Sequence, residues 1–177
     1  MTGPGWPQFL NLDYFFASRR GSTLCGQKYT TMSTRIKLDK VEPAGYRAIV
    51  AMEQYLGTTR LTQTHKDLIK IRASQINRCA FCIDMHTRDA RKAGETEQRI
   101  YALNAWQETP FFTPEERAIL ALTEEITLIS HDHVADTTYN QAAALFDEQY
   151  LGQIIICIIV INTWNRVGIS TGMQPAA

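Results

Sequence analysis

Cysteine is scarce in this 177-residue chain, with residues only at Cys25, Cys79, Cys82 and Cys157, and that scarcity excludes a small disulfide-stapled scaffold. Net charge is missing too, because eighteen Lys plus Arg offset eighteen Asp plus Glu. A balanced chain has no bulk electrostatic reason to seek nucleic acid or an anionic membrane, which leaves a small molecule or a protein as the expected partner. Long apolar runs are absent. The longest, Ile154 to Ile161, is flanked by Gln153 and Asn162 and falls far short of the roughly 20 residues that span a bilayer. It reads as a buried element and not as a membrane anchor. The opening MTGPGWPQFL carries proline and glycine where a signal peptide has a basic start and an apolar stretch, and the first basic residue is Arg19. The sequence therefore predicts a cytoplasmic protein.

Hydrophobic residues make up 45% of the chain and charged residues 20%, proportions of a globular protein long enough to bury a real core in one domain. Residues 1–31 lack sustained periodicity. They hold Pro4, Pro7, Gly3, Gly5, Gly21 and Gly26 and the tract Arg19-Arg20-Gly21-Ser22-Thr23, and read as a loosely structured N-terminal extension. Organised sequence begins near Met32, itself a candidate natural start, and runs over residues 32–177.

The punctuation of that part is helical, with apolar residues three and four apart, start signals, and glycines at ends. Helices are expected over Pro43–Leu56 with Gly57 as stop, from after Thr64 to Asn77 with Leu68, Ile69, Ile71 and Ile76 buried, over Cys79–Ala93 before Gly94, and over Glu95–Trp106. Thr113-Pro114-Glu115-Glu116 has the pattern of a capping box with proline at the first helical position, and opens a helix expected to reach Ser130. Another is expected over Asp136–Phe146. The Ile/Val-rich segment from Glu148 to Ile169 has strand-like composition, but its length and helical surroundings predict a helix buried on most sides. The expectation is an all-α domain of about six to seven helices.

The chemistry concentrates in Cys79-Ala80-Phe81-Cys82-Ile83-Asp84-Met85-His86. On a helix, positions i, i+3 and i+7 fall along one stripe, so two thiols and a base meet at one spot. Helix-start N–H groups and the macrodipole favour thiolate there. Lowering a thiol pKa from about 8.5 to about 6.5 raises its ionised fraction at pH 7 from roughly 3% to roughly three quarters. Such a thiolate attacks a peroxide oxygen to give a sulfenic acid, which the second cysteine converts to a disulfide. A dithiol reductant then resets the pair.

Competing chemistries fit less well. A closed zinc site needs four ligands, no second C-x-x-C is present, and His65, His131 or His133 would have to be brought in by the fold. Covalent haem attachment needs histidine directly after the second cysteine, where this chain has Ile83. A thioredoxin-like motif belongs to a βαβ pattern, which is missing. Packed core cysteines and a surface histidine remain the plain alternative.

With those residues in view, the sequence resembles the AhpD-like alkylhydroperoxidases of the carboxymuconolactone decarboxylase superfamily. The resemblance rests on Leu68 to Asn77, Cys79 to His86, Asp89 to Gly94, Phe112 to Ala118 and Asn162 to Arg166, and covers about 36–172. It implies an all-helical fold, assembly into homo-oligomers (commonly trimers or hexamers), and a peroxidase cycle with no metal, haem or other cofactor. It further implies Cys82 as the attacking thiol, Cys79 as the resolving one, His86 in a proton relay, and a lipoyl-type or thioredoxin-like dithiol as reductant. The family's relay glutamate, twelve positions before the first cysteine, is replaced here by Asp67, one methylene shorter. Spacing along Asp67, Ile71, Ser74 and Arg78 still turns that carboxylate toward the thiols, with a water to bridge the gap.

Outside this motif, His131 and His133 read as loop or end-capping residues, Cys157 as core packing and Cys25 as a free thiol in the extension. Trp164-Asn165-Arg166 reads as a packing or interface element near the end of the last helix. Two other functions stay open. One is a metal-free lactone decarboxylase, whose chemistry does not need two thiols, and the other is a non-enzymatic redox sensor whose Cys79–Cys82 bond changes shape or assembly.

Overall fold

The computed structural model describes residues 35–175. The extension expected over residues 1–31, with Cys25 and Met32, lies outside the described residues. The described part is all-helical, with eight α-helices, one 3-10 helix and no strand among the described residues. That exceeds the six to seven expected. A short α1, Leu38–Val41, precedes the first expected helix, and the helix expected over Glu95–Trp106 is divided.

α2 spans Pro43–Leu56, with proline in its first turn where the missing N–H costs nothing. α3 is Gln63–Asn77, and the Thr62 hydroxyl accepts its His65 N–H at 3.1 Å. α4 is Ala80–Lys92, one residue shorter at each end than expected, because Cys79 is its N-cap and Ala93 its C-cap. Gly94 follows at φ 100°, a left-handed conformation that glycine adopts without strain.

α5 covers only Glu97–Ala102, and a 3-10 helix, Leu103–Glu108, takes over with a non-helical Ala105 at φ −127°, ψ 34°. Trp106 is held from outside. Its indole N–H donates to Glu124 Oε1 at 2.7 Å, and Arg117 lies 5.0 Å over its ring while donating to the carbonyls of Trp106, Gln107 and Thr109. Side-chain donors on those carbonyls let the segment end tightly wound instead of continuing as α-helix.

α6, Pro114–Thr127, opens on the expected capping box: Glu116 N–H donates to Thr113 Oγ1 at 3.3 Å and Thr113 N–H to Glu116 Oε2 at 2.8 Å. It stops three residues before Ser130. α7, Asp136–Ala143, stops three residues before Phe146. α8 runs from Glu148 to Thr171, capped by Asp147, whose carboxylate accepts the Tyr150 N–H at 2.8 Å.

α3, α6 and α8 form the centre of the bundle. One face of α3 sends Ile69 and Ala73 into a core with Ile119, Leu122, Ile154 and Ile158. Another sends Leu68 and Ile71 into a core with Ile100, Leu103, Phe112 and Leu120. Each buried Ile, Leu or Phe in these cores contributes about 1.5–3 kcal/mol by leaving water, and Ile76, expected among them, is only half-buried. α8 is long and apolar enough, by length and composition, to cross a membrane, yet half of that stretch is buried within the fold. Its buried stripe, Leu151, Ile154, Ile158, Ile161, Asn165 and Gly168, follows the 3–4 spacing of a core-facing helix. The stripe turns polar and then small as it nears the cysteine pair.

Candidate active site around a disulfide

The turn between α3 and α4 builds the site. Arg78 adopts the left-handed conformation, φ 58°, ψ 39°, costly for a residue with a Cβ. Its N–H donates to Gln75 O at 3.2 Å and the Cys79 N–H to Ser74 O at 3.0 Å, the paired bonds of a Schellman ending. α4 starts at once, with Ile83 N–H donating to Cys79 O at 2.9 Å. Cys79 therefore stands at the cap and Cys82 in the first turn, among the unpaired N–H groups of the helix start.

A buried polar network fastens this turn to α8. The Asn77 amide donates to Asn162 Oδ1 at 3.0 Å and to Asn165 Oδ1 at 2.9 Å, and Asn165 donates to Ser74 Oγ at 2.9 Å. Asn162 in turn donates to Thr127 Oγ1 at 3.0 Å, and Arg166 donates to the Asn162 side-chain and backbone oxygens. The Trp164-Asn165-Arg166 motif thus braces the cysteine turn, while Trp164 itself packs edge-on against Tyr46 at 5.5 Å.

Cys79 and Cys82 are joined by a disulfide, with Cα atoms 5.3 Å apart, and both residues are only 2% exposed. Cys82, His86 and Asp67 share a cavity of about 400 Å³, whose apolar side includes Tyr46, Phe81 and Trp164 and whose polar side includes Gln63, Glu53 and Lys70. Cys79 lies behind Cys82, against α8. A methyl group placed on Gly168 would be 3.4 Å from Cys79 Sγ, 3.7 Å from Cys82 Sγ and 3.8 Å from Met173 Sδ.

Burial pushes the His86 ring down to about 4, with the Lys70 ammonium acting in the same direction and the Glu53 and Asp89 carboxylates opposing. At neutral pH the ring is uncharged, so one nitrogen is free to accept a proton. Burial raises the Asp67 carboxyl, while the Gln63 amide and Lys70 pull it back. Asp67 Oδ1 accepts from Gln63 Nε2 at 2.8 Å. That bond, and not one to His86, holds it.

The four expected site residues therefore meet at one place. The other candidates do not join them. His65 Nδ1 pairs with Tyr150 Oη at 2.7 Å, and His131 and His133 are exposed in the α6–α7 connection. Cys157 is fully buried in the core, where desolvation raises its thiol to about 12. Lys70 and Glu53 were the site residues that motif spacing did not reveal. They come from different helices, and the charged pair at i, i+17 leaves no local pattern.

A cysteine pair at the start of one helix, faced by a neutral imidazole and braced by a central helix of an all-α bundle, defines the AhpD-like fold class. The chain belongs to the carboxymuconolactone decarboxylase family. Residues 43–125 match that family. The chain is 47% identical over 146 residues to the uncharacterized protein YdfG of Bacillus subtilis (strain 168), covering 82% of this chain and 99% of that one. A solved structure from Agrobacterium tumefaciens, a protein of unknown function provisionally assigned to AhpD antioxidant defence, matches with a TM-score of 0.79 and 36% identity. It covers 82% of this chain and 99% of its own. The debrominase Bmp8 shares the fold at a TM-score of 0.67 and 19% identity, over 76% of this chain and 73% of that one.

Proposed function

We propose that the protein is a thiol peroxidase that reduces hydrogen peroxide or organic hydroperoxides. The observation that carries this reading is the Cys82 sulfur, bonded to Cys79 and lining a cavity with an uncharged His86. In the reduced protein His86 accepts the Cys82 proton, and the thiolate attacks the terminal peroxide oxygen. The O–O bond breaks, His86 returns the proton to the departing alkoxide or hydroxide, and Cys82 becomes a sulfenic acid. Cys79 attacks that sulfur, water leaves, and the disulfide forms. Two electrons and two protons from a lipoyl-type or thioredoxin-like dithiol restore both thiols. Asp67 polarises the site through water. The protein acts in the cytoplasm as a homo-oligomer, a trimer or hexamer, without metal or other cofactor.

A second reading, thiol-dependent debromination of an aromatic substrate, has the support of the aromatic rings lining the cavity and of the fold shared with Bmp8. Lactone decarboxylation has no use for the disulfide, and a sensor differs from a peroxidase in reacting once without sustained turnover.

The test is peroxide consumption with excess dihydrolipoamide in wild type, Cys82→Ser and Cys79→Ser. Sustained turnover lost in both variants, with sulfenic acid trapped at Cys82 in Cys79→Ser, is the expected result. One round of disulfide formation without turnover supports a sensor instead. Bromide release from a bromopyrrole, or CO₂ release from γ-carboxymuconolactone, without peroxide consumption replaces the peroxidase reading by the corresponding alternative.

A further inference from the structure

The two sulfurs must move apart each time the disulfide is reduced. Bonded sulfurs are about 2.05 Å apart, whereas two thiols in contact need about 3.5–4 Å. Both cysteines are buried, so the added distance has to be found inside the protein. On one side Cys82 has the cavity. On the other, Cys79 faces α8 at Gly168, the position where a Cβ would come 3.4 Å from its sulfur.

We propose that Gly168 is a positioning residue for the thiol step, and that its missing side chain is the space into which the cysteine sulfurs separate. Glycine weakens a helix relative to alanine, and Gly168 has ordinary helical geometry, with its N-terminal neighbours in α8. Backbone freedom therefore does not account for it, and the sulfur contacts do. In the disulfide form, a methyl at 3.4 and 3.7 Å from the two sulfurs makes ordinary contact. In the dithiol form the same methyl fills the vacated space and crowds the thiols.

The balanced reaction is disulfide plus dithiothreitol giving two cysteine thiols plus cyclic oxidised dithiothreitol. The reductant thiolate attacks the cavity-facing Cys82 sulfur, the S–S bond breaks, and Cys79 leaves as thiolate and takes a proton. The second reductant thiolate then closes its own ring and releases Cys82. Gly168→Ala shifts this equilibrium about tenfold toward the disulfide, equivalent to a potential about 30 mV more negative. Met173 is exposed and its sulfur borders the same space, so Met173→Ala shifts the equilibrium the other way. A gain in helix propensity alone stabilises both redox forms equally and leaves it unmoved.

The experiment is redox titration of the purified variants in dithiothreitol buffers, read by thiol alkylation and mass spectrometry. A Gly168→Ala equilibrium that is unchanged, or displaced toward the dithiol, overturns the inference. Should that variant fail to fold, the Met173→Ala equilibrium decides, and an unchanged value overturns it. The inference rests on the dithiol–disulfide cycle proposed above, not on peroxide as the oxidant. A shifted equilibrium in a protein that consumes no peroxide removes the peroxidase reading alone, and an unshifted one in an active peroxidase removes this inference alone.

Discussion

Lys70 of α3 and Glu53 of α2 form an ion pair in the wall of the cavity that holds Cys82 and His86. The pair places opposite charges beside an imidazole that burial already holds neutral, the cation adding to that effect and the carboxylate opposing it. Its balance adjusts how readily His86 takes the Cys82 proton.

Removing either partner should therefore move the histidine in opposite directions. Lys70→Met raises the His86 titration toward its ordinary value, and Glu53→Gln lowers it further, each by about half a unit. An NMR titration of the imidazole checks both, and shifts of the same sign for the two variants contradict the charge-pair account.

The same burial makes stability acid-sensitive. The folded His86 pKa of about 4 lies below its ordinary 6.5, so between those values the unfolded chain binds the proton and the folded one does not. The contribution is fully present above pH 6.5 and is lost as pH falls toward 4, a drop on the order of 3 kcal/mol. Asp67, raised by burial, has the opposite sign: its contribution is present below its ordinary value and is lost as pH rises through the folded one. Urea unfolding from pH 4 to 7 should show a positive slope, and His86→Asn should flatten it.

Arg78 carries a backbone cost that glycine does not. Arg78→Gly should stabilise the protein by about 0.5 kcal/mol, the left-handed relief being offset in part by glycine's extra freedom when unfolded. Arg78→Val should destabilise it by about 1–2 kcal/mol. Urea midpoints at constant slope measure both.

Much of this molecule was legible where a single local signal decides the structure. Pro43 and Gly57 bound α2, the Thr113 capping box opens α6, and the spacing of Cys79, Cys82 and His86 put them together. What the sequence hid depends on distant partners. Nothing near Ala105 announces a break, because the cause is Trp106 bound by Glu124 and Arg117 eleven and more residues away. Arg78 gives no hint of a left-handed turn, since its usual signal is glycine; the neighbouring Asn and Ser network holds it there. The Ile-rich run of α8 has strand-like composition, but its length and helical surroundings already mark it as a buried helix; the sequence does not show which five helices it packs against.

The contact between Tyr46 and Trp164 gives the site an optical gauge. The Trp164 indole borders the cavity of the redox pair, and a disulfide captures electrons from an excited indole and quenches its emission. Trp106 is packed into the separate core under α6 and adds background emission, as does Trp6, which lies outside the described residues. Fluorescence should brighten as the disulfide opens and dim as it re-forms, so each half of the cycle can be timed by stopped flow in the unlabelled protein.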